Sequence, residues 1–216
     1  MQNICHIAGA GGMEKPFFPQ EGELVIAADG GLADLKRFGI EPDLIVGDFD
    51  SLNEKPTGGN VLTYPVEKDD TDMMLAVKLG LEKGCTLFYL YGGMGGRTDH
   101  TLANIQTLCY LAERGCRGYL VGESETVTVI QDGSLRFASC GSGTLSVFAL
   151  SKEVCGVYER GVKYEVENAR LTYDFPLGVS NAFVKECAEI GVEKGTLAVL
   201  WEHRDGKNAV VSGREA

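Results

Sequence analysis

The chain has 216 residues, 44% of them hydrophobic, and a formal net charge of -11. That length and apolar content suffice for one large domain or two small ones with buried cores. An acidic surface argues against nucleic acid and anionic membranes as main partners, yet it allows a nucleotide substrate bridged through a divalent cation.

In the first half, strand-like and helix-like segments alternate. Residues 3–8 and 24–28 are short apolar runs. Residues 32–38 have helical spacing at Leu32, Leu35 and Phe38, with Gly39 as the stop. Strands are expected at 43–46 and 60–64, a helix at 72–83 closed by Gly84, and a strand at 86–90. A further helix is expected at 99–114, closed by Gly115, with Leu102, Ile105, Cys109 and Ala112 on one face. Residues 119–121 resume as strand. Such alternation predicts an α/β domain with a mostly parallel sheet.

After about residue 125 the helical period disappears. Segments 126–131 and 135–138 flank Asp132-Gly133, a hairpin signal. Strands are expected at 144–150, 162–166, 182–184 and 196–201, with Trp201 as a core residue of an alternating strand. This half predicts an antiparallel β-sandwich or open barrel. The expected division is 1–124 and 125–216.

The seven cysteines are scattered and include no CxxC pair, so reduced, buried thiols are expected and a zinc site is not. No apolar run approaches the roughly 20 residues of a membrane helix, and residues 1–12 lack the basic start of a secretory signal. A cytoplasmic location is therefore expected.

The polar residues of the first half gather where its strands end, which is where open α/β sheets bind ligands. One expected strand runs into Asp29-Gly30-Gly31, and the next into Gly47-Asp48-Phe49-Asp50-Ser51. Residues 60–64 lead to Lys68-Asp69-Asp70-Thr71-Asp72. Residues 86–90 lead to Gly92-Gly93-Met94-Gly95-Gly96-Arg97-Thr98-Asp99-His100. If the backbone between them is extended, Asp48 and Asp50 project to one side, where paired carboxylates suit Mg²⁺. Asp72 opens a helix, at the positive end of its dipole. The glycine-rich loop at 92–96 lets backbone N–H groups approach a phosphate, and Arg97 offers a planar fork for its oxygens. Neither a Walker loop nor a dinucleotide fingerprint is present. Gly9-Ala10-Gly11-Gly12 after the first strand is a weaker candidate for the same rim. These features support a metal-dependent phosphoryl-transfer site. They leave open a phosphohydrolase, while so many mutually repelling carboxylates argue against a non-catalytic nucleotide sensor.

The four motifs, in this order, resemble the thiamin pyrophosphokinase family. The resemblance implies an α/β catalytic domain at 1–124 and a thiamin-binding β-sandwich at 125–216. It implies transfer of diphosphate from ATP to the hydroxyethyl oxygen of thiamin, with Mg²⁺, in a homodimer whose thiamin site lies at the subunit interface. By motif, Asp48, Asp50 and Asp72 would be metal ligands, and Lys68 and Arg97 phosphate contacts. Asp29, Gly30, Thr71, Gly95 and His100 would be further nucleotide-site residues, and Asp99 a substrate-facing carboxylate. In the second half, Val179-Ser180-Asn181 resembles a Ser-Asn thiamin contact. Gly161-Val162-Lys163-Tyr164 resembles a Gly-Leu-Lys-Trp stretch with Tyr164 in place of tryptophan. A diphosphokinase for another alcohol, such as a hydroxymethyl-pterin, would share the catalytic half.

Overall fold

The computed structural model describes residues 3–49, 58, 60–65, 69–139, 143–185, 187–203 and 210–214. The chain forms two compact units, Met1–Thr107 with Gly118–Glu123, and Leu108–Arg117 with Ser124–Ala216.

The first unit is built from β1 (Ile4–Ala8), β2 (Leu24–Ala28), α1 (Gly31–Phe38), β3 (Leu44–Gly47), β4 (Val61–Thr63), α2 (Asp72–Glu82), β5 (Leu87–Tyr91), the start of α3 (Thr98–Ala112, which passes into the second unit at Leu108) and nearly all of β6 (Arg117–Val121). Its strand order is β6-β5-β1-β2-β3-β4. The pairs β1–β2, β1–β5, β2–β3 and β3–β4 are all parallel. β1 and β2 bury nearly every residue, as strands of a parallel sheet covered on both faces must. Gly39 ends α1 in a left-handed conformation, its N–H reaching back to Leu35 and Lys36 carbonyls. Thr71 caps α2 by accepting from the Met74 N–H at 3.2 Å.

One expectation for α3 is corrected. Its buried face carries Asn104, Thr107, Leu108 and Leu111, while Leu102 is 60% exposed. Apolar residues surround this helix, so two faces satisfy the same period. Asn104 turns inward because its Nδ2 donates to the Gly93 carbonyl at 2.9 Å.

The second unit contains β7 (Glu125–Gln131), β8 (Ser134–Ser139), β9 (Thr144–Ala149), β10 (Glu153–Arg160), β11 (Val166–Thr172), β12 (Asn181–Ala182), β13 (Ala188–Gly191), β14 (Thr196–Glu202) and β15 (Val210–Arg214). Antiparallel strands in the order β12-β9-β14-β7 make one sheet, and β11-β10-β13-β8-β15 the other. Phe137 of β8 meets Trp201 of β14 edge-on, at 5.2 Å between centroids, so the two sheets share a core as a sandwich. Trp201 is buried, as its alternating strand predicts.

Three second-half expectations change. Asp132-Gly133 does not close a hairpin: β7 pairs with β14 and β8 with β13, so the turn carries the chain from one sheet to the other. Asp132 ties that turn to Gly195, whose N–H donates to its carboxylate at 2.7 Å. The strand expected at 162–166 is a turn instead, with a single bridge at Val162, and β11 begins at Val166. β10, β11, β13 and β15 carry no expected strand. β10 is bulged near Gly156, which breaks its alternation, and β11 is an edge strand with little to bury.

The cysteines are also less buried than expected. The six described ones are free thiols, but only Cys5 and Cys85 are buried, and Cys187 is exposed. Among the described residues, no helix is long and apolar enough to cross a membrane.

Candidate active site

The first unit delivers its polar motifs to one rim through strand register. Ala8 lies opposite both Ala27 and Tyr91, Ala28 opposite Val46, and Gly47 opposite Thr63. The chain therefore leaves β5, β1, β2 and β3 at neighbouring points, into Gly92, Gly9, Asp29 and Asp48 respectively. The Asp29 N–H donates to the Val46 carbonyl at 2.7 Å, and the Tyr64 N–H to the Gly47 carbonyl at 3.0 Å.

Backbone strain collects at the same positions. Among the described residues, the non-glycine residues with positive φ are Asp29, Phe49, Asp132, Asn168 and Ser180. Asp29, Phe49 and Ser180 fall in the expected site motifs, where strain held by surrounding structure commonly marks function. Phe49 has φ 54 and is buried in the core beside Met13, Phe17 and Leu32. This left-handed residue overturns the extended geometry on which the same-side projection of Asp48 and Asp50 rested. Its buried ring anchors the turn and leaves Asp48 half-buried. Asp50 and Lys68 lie outside the described residues.

The segment entering α2 separates three neighbouring polar residues by role. Asp70 takes both its oxygens to Lys78 Nζ, at 2.8 and 2.6 Å, tying the loop to the helix. Thr71 is the cap. Asp72 is the first helical residue, half-buried at the positive end of the dipole. Asp48 and Asp72 are carboxylates, the hard oxygen donors that Mg²⁺ takes, and they follow the adjacent strands β3 and β4. The donor set thus fits the ion in its chemistry. Among the described residues no three His, Cys, Asp or Glu side chains form a metal-holding group, and the expected trio includes Asp50.

The two glycine loops are joined. The Gly9 N–H donates to the Tyr91 carbonyl and the Gly11 N–H to the Gly92 carbonyl, both at 2.8 Å. A Cβ on Gly11 would lie 2.4 Å from the Gly92 oxygen, and one on Gly92 would lie 2.4 Å from the Gly9 oxygen. Only bare backbone permits this approach. Beyond it, Gly95, Arg97, Asp99 and His100 are exposed at the start of α3. Arg97 pairs with Asp99 through Nε at 3.2 Å and Nη2 at 2.6 Å. Beside that guanidinium the Asp99 carboxyl falls to about 2.

Two supporting groups carried no sequence signal. Asn104 holds the glycine loop, and only its polar character on the inward face of α3 could have pointed to it. His6 is stacked between Phe17 and Tyr89, with Nε2 at 2.9 Å from Glu23, and so secures the segment after β1. Burial keeps His6 below the usual histidine range even with that carboxylate beside it.

In the second unit, Ser180 is exposed with φ 62, and its N–H donates to Ser146 Oγ at 3.1 Å. Tyr164 is exposed on its turn, with Lys163 Nζ 5.1 Å from its ring centroid. Asn181 differs from both: it is buried and fully engaged. Its Oδ1 accepts from Tyr164 N–H at 3.0 Å and Ala182 N–H at 2.9 Å. Its Nδ2 donates to the Tyr164 carbonyl and to Glu159 Oε2, each at 2.9 Å.

Comparison with known proteins gives this arrangement a family. Residues 18–120 match the thiamin pyrophosphokinase catalytic domain, and residues 135–197 match the thiamin pyrophosphokinase vitamin B1 binding domain. Thiamine pyrophosphokinase of Bacillus subtilis is 27% identical over 190 residues, covering 85% of this chain and 89% of that protein. A crystal structure of the Bacillus subtilis enzyme superposes with TM-score 0.81 at 26% identity, over 93% of this chain and 99% of that one. One from Geobacillus thermodenitrificans gives 0.80 at 26% identity, over 94% and 98%. With both halves matched in order, the chain belongs to the thiamin pyrophosphokinase family of enzymes.

Proposed function

We propose that this enzyme transfers diphosphate from MgATP to the hydroxyethyl oxygen of thiamin, giving thiamin diphosphate and AMP. The observation that carries this reading is the ordered match of a catalytic and a vitamin B1 binding domain to the two halves of one chain. The halves are assigned as a nucleotide-binding catalytic domain, 1–124, and a thiamin-binding domain, 125–216.

Phosphoryl transfers of this kind need positioning and charge neutralisation more than covalent help. Asp48, Asp50 and Asp72 would hold Mg²⁺, which supplies charge stabilisation to phosphate oxygens. Lys68 and Arg97 contact the phosphates as cationic donors, with Asp29, Gly30, Thr71, Gly95 and His100 completing the nucleotide site. Asp99 faces the alcohol. Arg97 must relax its grip on Asp99, or use its outer nitrogens, to reach a phosphate. Ser180 and Tyr164 face thiamin, and Asn181, whose amide is fully engaged, completes the thiamin set by holding the Tyr164 backbone. The acidic balance of the chain suits a substrate with a permanent thiazolium charge.

The enzyme acts in the cytoplasm as a homodimer with the thiamin site at the subunit interface. Exposed Tyr164, Tyr173, Phe175, Leu177 and Val179 give the second unit an apolar surface that suits a partner subunit. Incubation with ATP, Mg²⁺ and thiamin tests the reaction. AMP with thiamin diphosphate is expected. AMP formed only with another alcohol, or phosphate release indifferent to thiamin, removes the assignment.

A further inference from the structure

We propose that Glu159 is a positioning residue for thiamin binding, acting through Asn181 on the Tyr164 turn. This rests on the reading that the second unit binds thiamin. Glu159 is a carboxylate on the inward side of β10, only 5% exposed, and Asn181 Nδ2 donates to its Oε2 at 2.9 Å. An ionisable group at that depth is costly to bury and is kept where it satisfies something else.

What it satisfies is an amide with no capacity to spare. A side-chain amide offers two donors and two oxygen lone pairs. Asn181 uses all four: Glu159 and the Tyr164 carbonyl take its donors, and the Tyr164 and Ala182 N–H groups take its oxygen. Asn181 therefore grips both backbone groups of Tyr164, as a neighbouring strand would. Beyond that grip the turn has one isolated bridge, Val162 to Phe183, in which Lys163 N–H donates to the Ala182 carbonyl at 2.8 Å and Val184 N–H to the Gly161 carbonyl at 3.3 Å; Gly161 N–H also donates to Glu165 Oε1 at 2.9 Å. Glu159 fixes the rotation of the Asn181 amide, since a carboxylate accepts only from the NH₂ side. A flipped amide would put its oxygen against both the carboxylate and the Tyr164 carbonyl. The Glu159–Asn181 clasp, one residue after the left-handed Ser180, thus holds the backbone that carries the exposed Tyr164 ring.

The full-length enzyme is assayed for AMP formation with thiamin and ATP varied separately, and amide exchange at Tyr164 is followed in parallel. Glu159→Ala is expected to raise KM for thiamin about tenfold, the scale of one lost hydrogen bond to a charged group, with KM for ATP and kcat within about twofold. Exchange at Tyr164 should accelerate. Glu159→Gln keeps an acceptor and should remain near wild type. Should Glu159→Ala not fold, a polarity swap decides. Asn181→Asp alone should weaken thiamin binding, and adding Glu159→Gln, whose NH₂ can donate to the new carboxylate, should recover part of the loss. Unchanged KM for thiamin in Glu159→Ala, equal damage from Gln and Ala, or no recovery in the swap overturns the proposal. If wild-type enzyme makes no thiamin diphosphate, the functional reading falls. Exchange at Tyr164 then judges the clasp alone: acceleration in Glu159→Ala upholds it, and no change refutes it.

Discussion

Arg97 and Asp99 hold each other across a single intervening residue, through two guanidinium nitrogens, with both side chains mostly in water. The pair costs little to open, because exposed ion pairs contribute modestly. It nevertheless fixes the Asp99 charge. The pairing favours the folded form above the ordinary carboxylate range and is lost as pH falls toward about 2. Carboxyl-carbon NMR should find the Asp99 midpoint near that value. In Arg97→Gln the midpoint should climb toward about 3.9. An unmoved midpoint would mean that another group holds it.

Asp48→Asn should lower kcat at least about a hundredfold, as loss of an electrostatic anchor for transferred phosphate does. Asp50→Asn should do the same. Both should keep the wild-type melting temperature without ligand and lose the stabilisation that MgATP gives. Thermal melts with and without MgATP check this. Activity close to wild type in either variant would sink the metal assignment.

Thr71 has two candidate roles, and they separate experimentally. As the cap of α2, Thr71→Ala should cost about 1 kcal/mol in urea unfolding. Thr71→Ser keeps the capping oxygen and should restore stability. A raised KM for ATP in Thr71→Ser would mark a nucleotide contact beyond capping.

Burial pushes the Glu159 carboxyl above the usual glutamate range, and the Asn181 hydrogen bond only partly offsets this. The folded state therefore binds a proton more readily than the unfolded chain. The resulting stabilisation is full below the unfolded value and is lost as pH rises through the folded one. Glu159→Gln has no such titration. Its melting temperature should gain on wild type as pH rises through the acidic range, and a constant difference across pH would refute the shift.

The sequence showed the first unit more clearly than the second for a physical reason. Parallel strands buried on both faces are continuous apolar runs, and helices such as α1 carry their own stop at Gly39. Their motifs follow as polar punctuation at strand ends. The sandwich strands are half-exposed, bulged at Gly156, or polar at an edge like β11, so alternation fails there. The hairpin signal at Asp132-Gly133 reported a turn correctly but said nothing about which sheet follows. Local spacing also cannot show a clasp such as Glu159 with Asn181, whose members are 22 residues apart and meet only through tertiary packing.

The fused loops after β1 and β5 restrict how this protein can vary. Gly11 and Gly92 each exclude a side chain through a backbone atom of the opposite loop, so enlarging one cannot be compensated by shrinking the other. No smaller residue exists to exchange. Mutational drift at the two positions is therefore blocked singly and jointly, and variation along this rim must come from the side chains around the seam, not from within it.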